Sequence, residues 1–236
     1  MKRPNAISVL AFTLFMSMMV SAQAQAFDAG GLSYNVTSAT TVEVTGRASG
    51  NTDKVIVIPS SVSDSGTIYA VTTIGASAFA SNYLTSLNIG NSVTSIGAYA
   101  FAINLLTSVT IPDSVTTIGT AAFYENDLTS VTIPDSVTTI DFQAFYNNNL
   151  TSVTFLGDFG TFSLDMFELN ASLETICTVE GASGWPQTFA PNTGPSGSLT
   201  STTCGSPATP VPALPLFGLL ALGGLVGLFG LRKLKK

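Results

Sequence analysis

Residues 84–149 consist of one 22-residue phrase written three times: LTSLNIGNSVTSIGAYAFAINL (84–105), LTSVTIPDSVTTIGTAAFYEND (106–127) and LTSVTIPDSVTTIDFQAFYNNN (128–149). Leucine opens each copy, and aliphatic residues return at the same places. The spacing reaches back to Ile74 and Phe79 and forward to Phe162 and Phe167. A fixed period of about 20–29 residues is typical of solenoids, in which each repeat forms one coil of a stack. We count about five coils.

The side-chain pattern within each copy predicts two short strands per coil. Apolar residues alternate with serine or threonine, which directs the apolar side chains to one face. One copy has too few apolar residues to offset the entropy of ordering it, so it must stack on the next. We therefore expect parallel strands about 4.8 Å apart. We also expect Phe101, Phe123 and Phe145 to form one buried column.

Proline, glycine and asparagine predict where each coil bends. Pro-Asp pairs end the first strand, at 112–113 and 134–135, and Gly75, Gly97 and Gly119 mark a second bend. The Ala-Phe pair that follows is compatible with either a strand or a short helical turn. At the last bend, asparagine or aspartate is predicted to supply the turn, at Asn104, Asn126 and Asn148.

The repeats resemble the BspA-like leucine-rich repeat family. Its phrase LTSVTIP occurs at 106–112, and its second phrase, IG followed two residues later by AF, occurs at 118–123. The resemblance covers roughly residues 55–176. It implies an exported, surface-displayed protein associated with adhesion and protein–protein binding. The chain departs from the family at the last turn, where family members often carry a glycine-cysteine pair.

The N-terminal third predicts a targeting segment and a cap. Residues 1–26 combine Lys2 and Arg3 with an apolar stretch and small-residue cleavage sites, which is typical of a secretory signal peptide; an uncleaved anchor is the alternative. Residues 27–69 alternate with period two and predict an N-terminal β cap and the entry to the first coil. Nine extra residues around 63–66 are predicted to form a surface loop. The solenoid then spans 70–176.

The C-terminal part predicts a second cap and a membrane segment. Residues 177–205 form a cap loop in which Cys177 and Cys204 most simply make a disulfide; free thiols and intermolecular pairing are the alternatives. A Pro-rich linker (206–213) leads to a tail (214–236). Its first 18 residues carry no charge and predict a transmembrane helix with a cytoplasmic basic end. The predicted fold is thus a mainly β, right-handed leucine-rich-repeat stack with an N-terminal β cap and a C-terminal transmembrane helix.

The tail also resembles a known class of sorting signal. An apolar span and a basic end follow a short proline motif, as in the exosortase-read signals called PEP-CTERM and their relatives. The Pro-Glu-Pro core is absent, which implies a variant class, and a plain anchor is the alternative. Both interpretations place the domain outside the inner membrane, anchored toward the periplasm or, after processing, at the cell surface or outside the cell. The motif residues are Val211, Pro212, Ala213, Leu214 and Pro215.

Composition excludes several functions. The 236 residues carry a net charge of −6, but six of the eight basic residues lie at the two ends, so phosphate binding by the middle of the chain is implausible. Histidine is absent, which removes the commonest general base and metal ligand. Asp113 and Asp135 would lie one coil apart and are compatible with a Ca²⁺ site, although Pro-Asp turns arise for geometry alone. We therefore expect the chain to have no enzymatic activity and to bind no cofactor or metal.

Two sets of outward side chains are candidates for binding. One is a hydroxyl face on the first strands, and the other is a set of tyrosines beside the Ala-Phe turns. The sequence predicts binding to a protein or a cell-surface or matrix macromolecule. The alternatives are a structural envelope or biofilm-matrix spacer, and ice or polysaccharide binding by the hydroxyl face. The candidate residues are Tyr99, Tyr124, Tyr146, Ser108, Thr110, Ser130 and Thr132.

Overall fold

The computed structural model describes residues 25–158, 160–163, 165–173, 175–179, 183 and 200–203. The chain divides into two units, Met1–Cys204 and Gly205–Lys236, and every described residue belongs to the first. The described part contains strands and turns but no helix. Its strands are β1 (Ala26–Ala29), β2 (Leu32–Val36), β3 (Thr41–Arg47), β4 (Val55–Ile58), β5 (Ser61–Asp64), β6 (Thr67–Ile74), β7 (Ser86–Ile89), β8 (Ser95–Ile96), β9 (Thr117–Ile118), β10 (Ser130–Ile133), β11 (Thr139–Ile140), β12 (Ser152–Phe155), β13 (Thr161–Phe162), β14 (Thr175–Thr178) and β15 (Thr200–Thr203).

Strands one repeat apart pair in parallel, as the period predicts. On the second-strand side the sheet order is β1-β2-β3-β6-β8-β9-β11-β13, with β5 beside β6. Ile96 pairs with Ile118, and Ile118 with Ile140. On the first-strand side the order is β10-β12-β14-β15, and β4 pairs with β7 separately. The register of β12 on β14 has slipped by one residue, because Ser152 lies opposite Thr175.

The phenylalanines form the predicted column. Phe79, Phe101, Phe123, Phe145 and Phe167 stack with successive ring-centroid distances of 5.5, 5.4, 5.3 and 5.6 Å. The three central rings have no exposed surface. The Ala-Phe segments are turns rather than strands, and the Ala122 N–H donates to the carbonyl of Gly119. Each coil therefore places one ring on the next, and the core is continuous.

A buried asparagine joins each coil to the one before it. Asn126 is 6% exposed, and its Oδ1 accepts the N–H of Leu106 at 3.2 Å. Its Nδ2 donates to the carbonyls of Phe101 at 2.9 Å and Phe123 at 3.2 Å. Equivalent contacts recur at Asn104, Asn148 and Asn170. The sequence predicted side chains that supply a turn, whereas these amides bridge coils inside the core.

The N-terminal cap has the predicted alternating strands. β1, β2 and β3 form an antiparallel meander, and β3 pairs in parallel with β6. Tyr34 of β2 is 1% exposed, and its burial raises its pKa to about 12. The predicted surface loop around 63–66 is wrong, because β5 and β6 form a β-hairpin there. Ser65 and Gly66 have φ of 49° and 87°, which suits the two-residue turns that join twisted antiparallel strands.

Ile103 occupies a backbone conformation that suits asparagine better. Its φ is 56°, in the left-handed region, where a β-branched side chain is a genuine outlier. Its side chain is 50% exposed, so its replacement removes little buried surface. We expect Ile103→Asn to raise the free energy of unfolding by about 1 kcal/mol, measured by urea denaturation. Asn147 lies two repeats later with φ of 53°, and Asn147→Ile should have the opposite effect. Equal stability of all three chains would contradict this account.

Candidate functional site

The outward side chains of the first strands form a hydroxyl face. The four hydroxyl residues Ser108, Thr110, Ser130 and Thr132 are all exposed. Val131 and Ile133, which alternate with Ser130 and Thr132 along β10, are buried. The alternation follows from the pleat of a strand that has one face on the core. The structure therefore brings together the four predicted hydroxyl residues on neighbouring coils.

The strand ladder is interrupted within this face. Residues 108–111 form no strand, so β7 and β10 on either side each pair on only one edge. None of the four residues makes a backbone–backbone hydrogen bond in the described part of the chain. The adjacent Thr107 carbonyl still accepts the N–H of Thr129 at 3.3 Å. On its other strand the same coil is fully paired, because β9 lies between β8 and β11.

The interruption coincides with a groove of about 330 Å³. The four hydroxyl side chains line it, Asp113 adds a carboxylate, and apolar residues line the rest. A groove of this size is at the lower end of the range for small-ligand sites. It combines hydroxyl groups with backbone donors and acceptors that have no backbone partner among the described residues. The lining residues are Ser108, Val109, Thr110, Ile111, Asp113, Ser130, Val131, Thr132, Pro134 and Leu156.

The charge around the groove has one sign. Residues 90–204 contain ten aspartates and glutamates and no lysine, arginine or histidine. Asp113 and Asp135 are both exposed. The described residues contain no group of three or more acidic, cysteine or histidine side chains that could hold a metal ion. The negative charge of this region attracts cations in general. The described carboxylates do not form the cluster of ligands that a metal site needs.

The predicted tyrosines lie elsewhere, on the turns. Tyr124 and Tyr146 are half-buried and stack with their ring centroids 5.2 Å apart, while Tyr99 is 48% exposed. None of the three lines the groove. The structure thus separates the candidate residues into a hydroxyl groove and a tyrosine edge. A binding role for either set stays a prediction.

Tyr124 provides a pH-dependent test of the tyrosine edge. A hydrogen bond to Glu125 is the largest cause that raises the pKa of Tyr124, followed by burial and by the nearby charge of Glu125. The neutral phenol is favoured in the folded chain, so its stabilising contribution is present below pH 10, the ordinary pKa, and is lost as pH rises through the folded-state pKa. We expect Glu125→Gln to shift one tyrosine to a lower pH in an ultraviolet titration. Tyr124→Phe should remove that transition, and an unchanged titration in Glu125→Gln would contradict the assignment.

Cys177 is disulfide-bonded. The sequence contains one other cysteine, Cys204, which lies outside the described residues. The predicted Cys177–Cys204 pairing therefore stays a prediction.

The targeting segments also lie outside the described residues. They include residues 1–24 of the predicted signal peptide, the linker, the tail and the motif Val211–Pro215. Among the residues that the structure does describe, no helix is long and apolar enough to cross a membrane.

The parallel coils and their shared core define a leucine-rich repeat solenoid. The family described as "BspA type Leucine rich repeat region" matches residues 71–183 in six copies. This region of the chain belongs to that family. The resemblance implied by the LTSVTIP phrase is therefore confirmed for the repeats.

Solved leucine-rich repeat proteins are also similar. One from Bacteroides capillosus ATCC 29799 is 30% identical, with 56% of this chain and 99% of that chain covered and a TM-score of 0.49. One from Bacteroides ovatus ATCC 8483 is 26% identical over 64% of this chain, with a TM-score of 0.47, and this chain spans 46% of its length. The pneumococcal vaccine antigen PcpA is 18% identical over 71% of this chain and 52% of its own, with a TM-score of 0.52, which supports the fold alone. No curated protein matches the chain significantly.

Proposed function

We propose that the chain is an exported, non-catalytic leucine-rich-repeat protein that binds a partner protein at the bacterial surface or in the extracellular matrix. The observation that carries the proposal is the groove at residues 108–111, where four residues without a backbone hydrogen bond in the described part of the chain lie beside hydroxyl side chains. Membership of the BspA-type repeat family supports a binding role over a catalytic one. The repeat scaffold is typical of extended binding surfaces.

The groove favours an extended, basic segment of the partner. An extended segment lying in the groove offers donors and acceptors to the backbone groups of residues 108–111, which have no backbone partner among the described residues. The Ser and Thr hydroxyls add hydrogen bonds on the same face. Ten acidic residues without a basic one between 90 and 204 would attract a cationic partner and speed its association. Binding of this kind weakens as salt rises.

Export and anchoring belong to the same proposal and rest on sequence. A signal peptide over 1–26 would carry the chain across the inner membrane, and the tail over 214–236 would hold it there until a processing enzyme of the exosortase class acts on Val211–Pro215. Mass spectrometry of both ends of the mature protein tests this directly. Termini that begin at Met1 and end at Lys236 would contradict both processing steps.

Saturable binding by the secreted full chain tests the function. The probes are a peptide of alternating lysine and valine, its glutamate–valine counterpart, and fractionated envelope protein. We expect the lysine peptide to bind saturably and to weaken with salt, and the glutamate peptide not to bind. Thr110→Trp and Thr132→Trp would fill the groove from exposed positions, so they should abolish binding while circular dichroism stays unchanged.

Two controls locate the site. Ser86→Trp places the same side chain on the first strand of another coil, outside the groove lining, and should leave binding intact. Tyr124→Ala combined with Tyr146→Ala tests the tyrosine edge. Loss of binding in the tyrosine variant alone would move the site to that edge. Absence of saturable binding to every probe would leave the chain as a structural spacer and overturn the proposal.

A further inference from the structure

We infer that β4 is a self-association surface, through which two copies of this chain pair their β4 edges antiparallel across a twofold axis. The inference is independent of the proposed binding groove, which lies two coils away.

β4 has one free edge. It pairs only with β7, in parallel, and forms the end of that two-stranded sheet. The cap strands extend the other sheet instead, through the pairing of β3 with β6. Apart from the β7 pairing, residues 55–58 make no backbone–backbone hydrogen bond within the described residues. The N–H and C=O groups along this edge therefore have no backbone partner among the described residues, and such a row is a template for another strand.

The side chains of β4 are apolar on both faces. Ile56 and Ile58 are 2% and 1% exposed and belong to the core, whereas Val55 and Val57 are 57% and 61% exposed. At the same two positions the following coils carry hydroxyl or amide residues, such as Ser86 and Asn88, which pair with them across β4 and β7. The outward face thus changes from polar to apolar at the first coil, where β4 ends its sheet.

Within its four residues β4 also lacks most of the features that keep edge strands apart, although Lys54 and Pro59 flank it. Charge, proline, glycine and bulges inside a strand discourage edge pairing, and Val-Ile-Val-Ile contains none of them. Four β-branched residues in a row favour the extended state. Asp53 and Lys54 precede the strand and balance each other's charge, while the acidic excess lies in residues 90–204. The two charges that precede this edge therefore add little repulsion between two copies.

A second copy is the occupant that these observations favour. In an antiparallel register that sets Val55 opposite Val57 of the second copy, the four outward valines meet on one face. The same strand then supplies both the backbone pattern and the apolar patch, so the surface is self-complementary. A twofold dimer pairs the two β4 edges with each other, so no β4 edge is left for a third copy. If β4 instead paired with the opposite end of another solenoid, each added copy would leave a free edge, and the assembly would continue to grow.

Sedimentation and cross-linking of the full chain test the inference. We expect the exported full chain, in mild detergent, to sediment as a concentration-dependent dimer. Val55→Lys combined with Val57→Lys should convert it to a monomer without changing its circular dichroism, because both side chains point outward. In intact cells Val55→Cys combined with Val57→Cys should form a disulfide-linked dimer on a non-reducing gel, because Val55 of one copy lies opposite Val57 of the other.

Matched positions make the result decisive. Ser152→Cys occupies the same outward position on β12, which is paired on both edges, and should not cross-link. A full chain that stays monomeric, an open ladder of larger oligomers, or equal cross-linking by Ser152→Cys would each overturn the inference. None of these outcomes affects binding in the groove, which the Thr110→Trp variant tests separately.

Discussion

Asn126→Ala is expected to lower the free energy of unfolding by about 3–5 kcal/mol. The side chain is buried and bonds to four backbone groups, the N–H of Leu106 and the carbonyls of Phe101, Phe123 and Tyr124. Alanine leaves the Leu106 N–H inside the core with no other partner among the described residues, which costs about 1–3 kcal/mol. The carbonyls of Phe101 and Phe123 keep the amides of Asn104 and Asn148, but each loses a hydrogen bond worth about 0.5–1.5 kcal/mol. Urea denaturation followed by circular dichroism measures the loss.

An exposed asparagine of the next repeat is the control. Among the described residues the Asn149 side chain bonds only to the Asp127 side chain, at 3.2 Å. Exposed pairs of this kind contribute little, so Asn149→Ala should change stability by less than about 0.5 kcal/mol. Asn126→Asp keeps the acceptor but removes both donors and buries a carboxyl group. Its stability should fall further as pH rises, because burial opposes ionisation. Equal stabilities of Asn126→Ala and Asn149→Ala would show that the amides do not bridge the coils.

Phe123→Ala is expected to cost about 4 kcal/mol of stability. The ring has no exposed surface and stacks on Phe101 at 5.4 Å and on Phe145 at 5.3 Å. Alanine would leave a cavity between two coils, so the core would lose its continuity as well as the buried area. Thermal unfolding should show a lower midpoint and, if the two halves of the stack separate, a broader transition.

Phe142 supplies the matched control for the aromatic column. It lies in the next coil, but its ring is 49% exposed. Phe142→Ala should therefore cost much less than Phe123→Ala. A Phe123→Ala chain as stable as Phe142→Ala would contradict the stacked core.

Periodicity was sufficient to predict the stack but not the role of its polar residues. The 22-residue spacing of Phe101, Phe123 and Phe145 predicts a column because like residues of identical coils must lie above one another. The same spacing of Asn104, Asn126 and Asn148 indicates only that an asparagine lies at each turn. Asparagine is common in turns, and only the folded coil shows that its amide reaches the N–H that lies twenty residues earlier. The burial of a polar side chain depends on that long-range contact.

The groove could not have been predicted from local sequence. Ser108-Val109-Thr110-Ile111 and the segment at 130–133 are identical, yet only the second is a strand. Whether a segment forms a strand depends on the neighbouring strands with which it pairs. The segment one coil before the groove carries Leu87 and Asn88 at positions where the next three coils carry valine and threonine. The alternation of apolar and hydroxyl residues is enough to predict that the hydroxyl side chains face outward. Their association with unpaired backbone groups emerges only in three dimensions.

Residue-resolved amide hydrogen exchange tests most directly whether backbone hydrogen bonds join the coils beside the phenylalanine column and are missing at residues 108–111 of the hydroxyl face. The Phe123 N–H donates to the Ala144 carbonyl at 2.8 Å and the Thr138 N–H to the Thr116 carbonyl at 2.9 Å, so both should exchange slowly. The amides of residues 108–111 should exchange orders of magnitude faster. Equal protection of residues 108–111 and of Phe123 would show a continuous ladder with no groove, and rapid exchange at Phe123 would show that the coils do not stack.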